Sequence, residues 1–271
     1  MRLSEAVRIL TEAGVPDARH DARAIFTEIG GVSIASSIAM DPESESDEVL
    51  LAVERRAKRE PLQYILGRVF FYNEEYEVSP DCLIPRSDTE TLVEYACRNI
   101  PEGERFLDLC TGSGCVGIST VRNTKNTKAL LVDISESALK LAKRNAALNG
   151  VRDRVELRYA DLLSCEAVVE DGVFAVLSNP PYVREEDYKA LEREIFFEPR
   201  IAFVGGEEGS IFYRVLTKVY KDKIDPRGFI AYEIGYDQGE LLCKIAEENN
   251  LECEIVKDLG GNDRVAVLRK K

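Results

Sequence analysis

Apolar residues recur at helical spacing through the first stretch of the chain. Leu3, Val7 and Leu10 form one stripe, and Ala22, Ile25, Phe26 and Ile29 form another. Gly14 and the Gly30-Gly31 pair act as stop signals. Asp41-Pro42 opens a third segment, in which Val49, Leu50 and Val53 share a face and which Pro61 ends. Its charged run, Glu54, Arg55, Arg56, Lys58, Arg59 and Glu60, reads as a solvated helix face, with a partner-docking face as the alternative. The pattern then changes. Tyr64, Val69, Phe70, Phe71, Tyr72, Tyr76 and Val78 are strand formers interrupted at Asn73-Glu74-Glu75, which predicts a hairpin. A loop between Pro80 and Pro85 leads to a helix over 88–99, capped by Ser87 or Asp88.

From residue 104 strands and helices alternate. Strands are expected at 105–109, 129–133, 155–160, 173–178, 228–234, 252–256 and 264–268, and helices up to 122 and at 136–149, 209–220 and 238–249. Repeated β-α-β units predict a mostly parallel sheet covered on both faces. The last two strands are joined only by a short link through Gly260-Gly261-Asn262, so at least one strand is antiparallel. The expected division is a helical domain with its hairpin at 1–75 and an α/β domain at 76–271.

Composition adds exclusions. The 271 residues are 45% apolar and 31% charged, an ordinary globular balance. The net charge of −13 argues against non-specific nucleic-acid binding, which needs basic surface. Seven cysteines without a Cys-x-x-Cys and a single histidine, His20, predict neither a disulfide framework nor a zinc site. No metal is expected. No signal peptide or membrane-spanning run is evident, so the expectation is a soluble, cytoplasmic protein.

Three signals carry chemistry. The run Asp108-Leu109-Cys110-Thr111-Gly112-Ser113-Gly114 follows a strand and opens a helix, and ligands bind where the first strand of an open α/β sheet ends. A turn serving only strand–helix packing is the alternative. Asp133, at the end of the next strand, can accept both hydroxyls of a ribose, provided that Ser135 caps the following helix. Asp161, ending the third strand, could reach an adenine amine or serve as a turn aspartate. The third signal is Asn179-Pro180-Pro181-Tyr182, directly after a strand. It offers two acceptors, the Asn oxygen and a proline carbonyl, on a stiff loop beside an aromatic face. That suits a planar –NH₂ group, either a glutamine amide or the exocyclic amine of adenine or guanine. Such nitrogens need orientation and electrostatics more than a strong base.

At these residues the sequence resembles the S-adenosylmethionine-dependent methyltransferases with an Asn-Pro-Pro-Tyr motif, and among them the peptide chain release factor N5-glutamine methyltransferases. The likeness extends over nearly the whole chain. It includes Leu83-Ile84-Pro85-Arg86 with Asp88-Thr89-Glu90, Glu198-Pro199-Arg200, Gly205-Gly206 and the run from Glu233 to Gly239. The resemblance implies a Rossmann-like class I methyltransferase, a mixed sheet with helices on both faces, plus a small N-terminal helical domain for substrate recognition. It implies methyl transfer to the glutamine of the Gly-Gly-Gln motif in class 1 release factors, tuning translation termination, with S-adenosylhomocysteine as product. By position, Asp108, Cys110, Thr111, Gly112, Ser113, Gly114, Asp133, Ile134, Asp161, Leu162 and Asn179 would hold the cofactor. Asn179, Pro180, Pro181 and Tyr182 would hold the reacting amide, with Ile84, Pro85 and Arg86 bordering its pocket.

The family turn usually has glycine where Cys110 stands, so a side chain must fit beside the cofactor. Ser87 replaces a usual proline, and Leu162 replaces a usual aromatic that would stack on adenine. Residues 207–210 also depart from the pattern, on an expected surface loop. The alternative to protein glutamine is N-methylation of adenine or guanine in nucleic acid. The −13 charge and the lack of a basic stripe with interleaved aromatics favour the protein substrate. A monomer without stable nucleic-acid or membrane association is expected.

Overall fold

The computed structural model describes residues 1–164 and 172–271. Two compact units are formed, one of Met1–Val69 with Glu192–Phe197 and the other of Phe70–Leu191 with Glu198–Lys271. Most of the hairpin therefore groups with the second unit rather than with the helices, and a distant segment joins the first.

The first unit contains α1 (Leu3–Glu12), α2 (Ala18–Glu28), α3 (Ile34–Ala39), α4 (Asp47–Ala57) and α5 (Leu62–Leu66). Leu3, Leu10, Ala22, Ile25, Phe26, Val49 and Val53 meet in one core. The third predicted segment starts at Asp47 rather than near Pro42, because the Ser46 hydroxyl accepts the Glu48 N–H and caps the helix there. Pro61 ends nothing. It is the N-cap of α5, where a missing N–H costs no helical bond, so Tyr64 is helical rather than extended. The charged run is not a solvated face throughout. Arg56 is 6% exposed, and its guanidinium donates to Asp21 at 2.7 Å and to Glu194 at 3.1 Å. Arg59 joins them, donating to Glu194 at 2.6 Å.

The hairpin pairs β1 (Arg68–Phe71) with β2 (Glu74–Glu77). Tyr72 and Asn73 form its turn with φ of 49° and 66°, the double left-handed geometry that matches strand twist. Glu74 is thus already strand, and it is buried. Its carboxylate accepts from the Ser119 hydroxyl and the Asn123 amide.

The second unit continues with α6 (Glu90–Asn99), β3 (Arg105–Leu109), α7 (Cys115–Asn123), β4 (Lys128–Asp133), α8 (Glu136–Leu148), β5 (Val155–Tyr159) and β6 (Val173–Ser178). It ends with α9 (Ile211–Tyr220), β7 (Ile224–Glu233), α10 (Gly239–Glu248), β8 (Leu251–Lys257) and β9 (Asp263–Lys270). A 3₁₀ turn, Ser87–Thr89, leads into α6 without a side-chain cap, contrary to the capping expected of Ser87 or Asp88. Strand β7 starts earlier than expected and takes in Pro226. Its pairing with β6 shifts between Val173 and Ala175, and such an irregularity tolerates a residue without an N–H. The sheet order is β5-β4-β3-β6-β7-β9-β8, with β9 antiparallel to both neighbours and the β5–β7 pairs parallel. Strand β6 is buried at every position, as expected for the middle of a doubly covered sheet. Among the described residues, no helix is long and apolar enough to cross a membrane.

Asn145 on α8 joins the hairpin to the glycine turn. It is fully buried; its Oδ1 accepts the Glu77 N–H at 2.8 Å, and its Nδ2 donates to the carbonyls of Glu77 at 3.1 Å and Ser113 at 2.9 Å. Asn145→Ala should therefore lower stability by about 2–3 kcal/mol, because buried backbone groups lose their partners. Urea denaturation of the variant and the parent measures this.

Candidate active site

Strand register builds the site. Leu109 of β3 lies opposite Ser178 of β6 and Val132 of β4, and Ser178 lies opposite Tyr232 of β7. The residues that follow, Cys110, Asp133, Asn179 and Glu233, therefore leave the sheet side by side at its carboxyl edge. Strand order reverses there, with β4 on one side of β3 and β6 on the other, the usual place for a crevice. A cavity of about 390 Å³ opens there, within the range of small-molecule sites. Asp108, Cys110, Thr111, Gly112, Ser113, Asp133, Ile134, Asp161, Leu162, Asn179, Pro181, Pro85 and Arg86 all line it. Gly114, Ile84, Pro180 and Tyr182 do not.

The glycines of the turn have different reasons. A Cβ on Gly117 would lie 2.7 Å from Leu131 and 2.9 Å from Asp108, and one on Gly114 would lie 2.7 Å from Ile118. Those two serve helix–sheet packing. Gly112, with φ +55°, has only Cys82 near its missing Cβ, at 3.8 Å, and it faces the cavity. Cys110 takes the left-handed conformation too, with φ 58°, at a cost of about 1 kcal/mol for a residue with a side chain. Its thiol packs against the core under β3 and β6, and burial raises its pKa. Asp108 is 1% exposed and accepts from the Thr111 hydroxyl at 2.5 Å and the Gly117 N–H at 2.9 Å. Burial nevertheless pushes its pKa up to about 7, against the pull of those two donors.

Ser135 does cap α8, its hydroxyl accepting the Ala138 N–H. Asp133 is not left free, however. Its Oδ2 accepts the Gly112 N–H at 2.8 Å and its Oδ1 the Ser135 N–H at 2.9 Å. Each carboxylate oxygen can take a further donor, so the side chain is pre-aimed rather than used up. Burial raises its pKa despite these bonds. Asp161 is exposed and its Oδ1 accepts the Leu163 N–H, so it is a turn aspartate as well as a cavity residue. Leu162 is buried in the core under the cavity floor.

The Asn-Pro-Pro-Tyr loop is held from several directions. The Asn179 Nδ2 donates to the Thr89 hydroxyl at 3.2 Å. The Tyr182 hydroxyl donates to Glu233 at 3.2 Å, and its carbonyl accepts the Gln238 amide at 3.1 Å. Val183 forms a bridge to Val204, which brings Gly205 against the loop. A Cβ on Gly205 would lie 2.4 Å from the Pro181 carbonyl oxygen, and one on Gly209 would lie 2.3 Å from that of Tyr182. Gly209 and Ser210 are buried, so the expected surface loop at 207–210 is exposed only at Glu207 and Glu208. Glu198 is buried and clamps the wall segment. It accepts the Ile84 N–H at 2.8 Å and pairs with the Arg86 guanidinium, while its own burial raises its pKa.

Residues 2–67 match the family described as PrmC N-terminal domain, and 87–206 match the Methyltransferase small domain. The chain is 34% identical to the release factor glutamine methyltransferase of Fusobacterium nucleatum, over 98% of this chain and 77% of that protein. It is 37% identical to the one of Thermodesulfovibrio yellowstonii, over 85% of each. The chain belongs to the release factor glutamine methyltransferase family. This methyltransferase uses S-adenosylmethionine as its methyl donor. A methyltransferase from Pyrococcus furiosus is similar in fold, with a TM-score of 0.54 and 21% identity over 72% of this chain and 89% of that one.

Sequence reasoning assigned no role to Thr89, Glu198 or Glu233 in this methyltransferase. All three stand in runs that carry the family resemblance, but no spacing rule marks a residue whose work is to hold another. Of the described cysteines, Cys82 and Cys115 are buried and Cys97, Cys110, Cys243 and Cys253 half-buried, while Cys165 lies outside the described residues.

The state of Asp108 can be tested through stability. Its folded pKa lies above its ordinary 3.8, so the stability carried by its proton is present at low pH and lost as pH rises through about 7. Asp108→Asn lacks that loss. Relative to the parent it should gain stability between pH 5 and 7, by up to about 1.4 kcal/mol per pH unit, and level off above. Denaturation at a series of pH values checks it.

Proposed function

We propose that this chain transfers a methyl group from S-adenosylmethionine to the side-chain amide nitrogen of the glutamine in the Gly-Gly-Gln motif of class 1 peptide chain release factors. The observation that carries the reading is that Asn179, an amide acceptor, and the glycine turn at the end of β3 line one cavity. The methyl donor supplies an electrophilic carbon on a positively charged sulfur.

The residues of the chain do the rest. The Gly112 N–H and Asp133 form the rim where a ribose would be held, with the two carboxylate oxygens accepting its hydroxyls. Ile134 and Leu162 give apolar surface for the adenine, and Asp161 lies at the same end. The donor set and the cavity volume fit a nucleoside with an amino-acid tail. Asn179 Oδ1 and the Pro180 carbonyl accept the two N–H bonds of the target amide. That draws charge onto nitrogen and aims its lone pair, so the work is orientation and electrostatics. The nitrogen gains the methyl and gives up one proton. Leu83 to Arg86, fixed by Glu198, walls the amide pocket. Residues 1–69 are the release factor recognition unit in this reading. The protein acts as a cytoplasmic monomer without stable nucleic-acid binding, in keeping with its −13 charge.

Purified release factor and DNA offered together with labelled S-adenosylmethionine test the proposal. One methyl mass on the Gly-Gly-Gln peptide is expected; label in DNA alone would overturn it in favour of nucleic-acid methylation. Asn179→Ala should cut kcat by about 100-fold or more while leaving cofactor affinity near that of the parent. Asp133→Ala should weaken cofactor binding by about 10–100-fold, as read by titration calorimetry.

A further inference from the structure

The glutamine of a folded protein reaches the cavity only if the rest of that protein lies against the carboxyl edge of the sheet. A stable protein–protein contact takes roughly 800 Å² from each partner. It therefore extends beyond the cavity mouth onto the turns around it.

Two turns of the second unit stand side by side on that edge. Residues 234–238 follow β7, and residues 258–262 join β8 to β9. Glu233 of β7 pairs with Val265 of β9, and the Ile234 N–H donates to the Arg264 carbonyl at 2.9 Å. Both turns are stiff. In the first, the Gln238 side chain accepts the Gly235 N–H at 2.9 Å and donates to the Tyr182 carbonyl at 3.1 Å. That turn is thus fastened to the Asn-Pro-Pro-Tyr loop. In the second, the Asp258 N–H donates to the Asn262 carbonyl at 2.9 Å, and the Asp258 carboxylate accepts the Asn262 N–H at 3.0 Å. The buried Arg264 ties this turn to the cavity wall. One of its nitrogens lies 3.2 Å from Asp258 and 3.1 Å from Asp88, which precedes the cavity residue Thr89.

Each turn carries a large apolar side chain into solvent. Tyr236 is 72% exposed and Leu259 is fully exposed. Apolar side chains scattered singly over a surface need no explanation. These two differ in standing on rigid supports, one bonded to the Asn-Pro-Pro-Tyr loop and the other to the cavity wall. Rigid presentation also removes much of the ordering that binding would require of a loop.

We propose that Tyr236 and Leu259 form a docking contact for the folded release factor, taking apolar side chains from the surface around its Gly-Gly-Gln loop. The inference rests on the reading of the release factor as substrate. Neither residue takes part in the chemistry. The contact holds ground state and transition state alike, so it acts on KM rather than on kcat.

Tyr236→Ser and Leu259→Ser, combined in one protein, test this with full-length release factor. KM for the release factor should rise by about 10-fold or more. Both kcat and the S-adenosylmethionine dissociation constant should stay within about twofold of the parent. Leu148 supplies the control. It is 51% exposed at the last residue of α8, which runs back toward the start of β5 and so ends at the opposite edge of the sheet. Leu148→Ser should keep the parental KM. Parental KM in the double variant, a fall in kcat at unchanged KM, or an equal rise of KM in Leu148→Ser would each overturn the proposal. Titration calorimetry of release factor with the S-adenosylhomocysteine-loaded protein reads the contact without turnover, and the double variant should bind about 10-fold more weakly. Equal binding by parent and double variant, or no binding by the parent, would also overturn it. A parent that binds release factor but does not methylate it would count against the substrate reading instead, and the titration would still decide whether the pair is a docking contact.

Discussion

The fully buried Ser178 hydroxyl donates to the Leu109 carbonyl at 2.6 Å, across the parallel pair of β3 and β6. That bond ties the two strand ends from which the glycine turn and the Asn-Pro-Pro-Tyr loop depart. A slip of one residue in this pairing would turn every side chain of a strand to the opposite face. Strand β6 is buried throughout, so its apolar run alone does not choose a register. The bond from Ser178 and the paired neighbours β4 and β7 do, and the spacing between the glycine turn and the Asn-Pro-Pro-Tyr loop follows from them.

Much of this architecture is legible in the sequence. The seven strands of the main sheet stand out because their apolar runs are separated by glycine and by amphipathic helices. The failures have local causes. Pro61 can end a helix or begin one, and only the packing of Leu62 and Ile65 into the helical core decides. Arg56 looked solvated because its partners, Asp21 and Glu194, are distant in sequence. The candidate site shows the same divide. Asp108, Asp133 and Asn179 are conspicuous because each stands at or beside the end of a strand. Thr89, Glu198 and Glu233 hold other groups in place, and that role leaves no period or spacing behind.

The glycine turn shows how two demands can be read as one. Gly112, Gly114 and Gly117 fit a nucleotide-binding pattern, yet Gly114 and Gly117 are explained by contact with Ile118, Leu131 and Asp108. The cavity-facing position is Gly112. Cys110 bears the strain that a glycine would avoid and packs, half-buried, against the core beside the cavity. Close approach matters again at Gly205 and Gly209, where backbone meets the backbone of the Pro181–182 stretch. The Asn-Pro-Pro-Tyr loop is thus shaped as much by what is missing from its neighbours as by its own rigidity.

The ion cluster of Arg56, Asp21, Arg59 and Glu194 bears on modularity. Glu194 reaches the helical unit from a part of the chain more than a hundred residues downstream, and it accepts from two guanidinium groups there. Residues 1–69 are therefore not a self-sufficient cassette. Cut out as a fragment, they would leave one largely buried arginine short of a counter-charge and another with none from this cluster, a penalty of several kcal/mol. Grafting this unit onto another methyltransferase would need the 192–197 strap as well, so the helical unit is built from two separate stretches of chain.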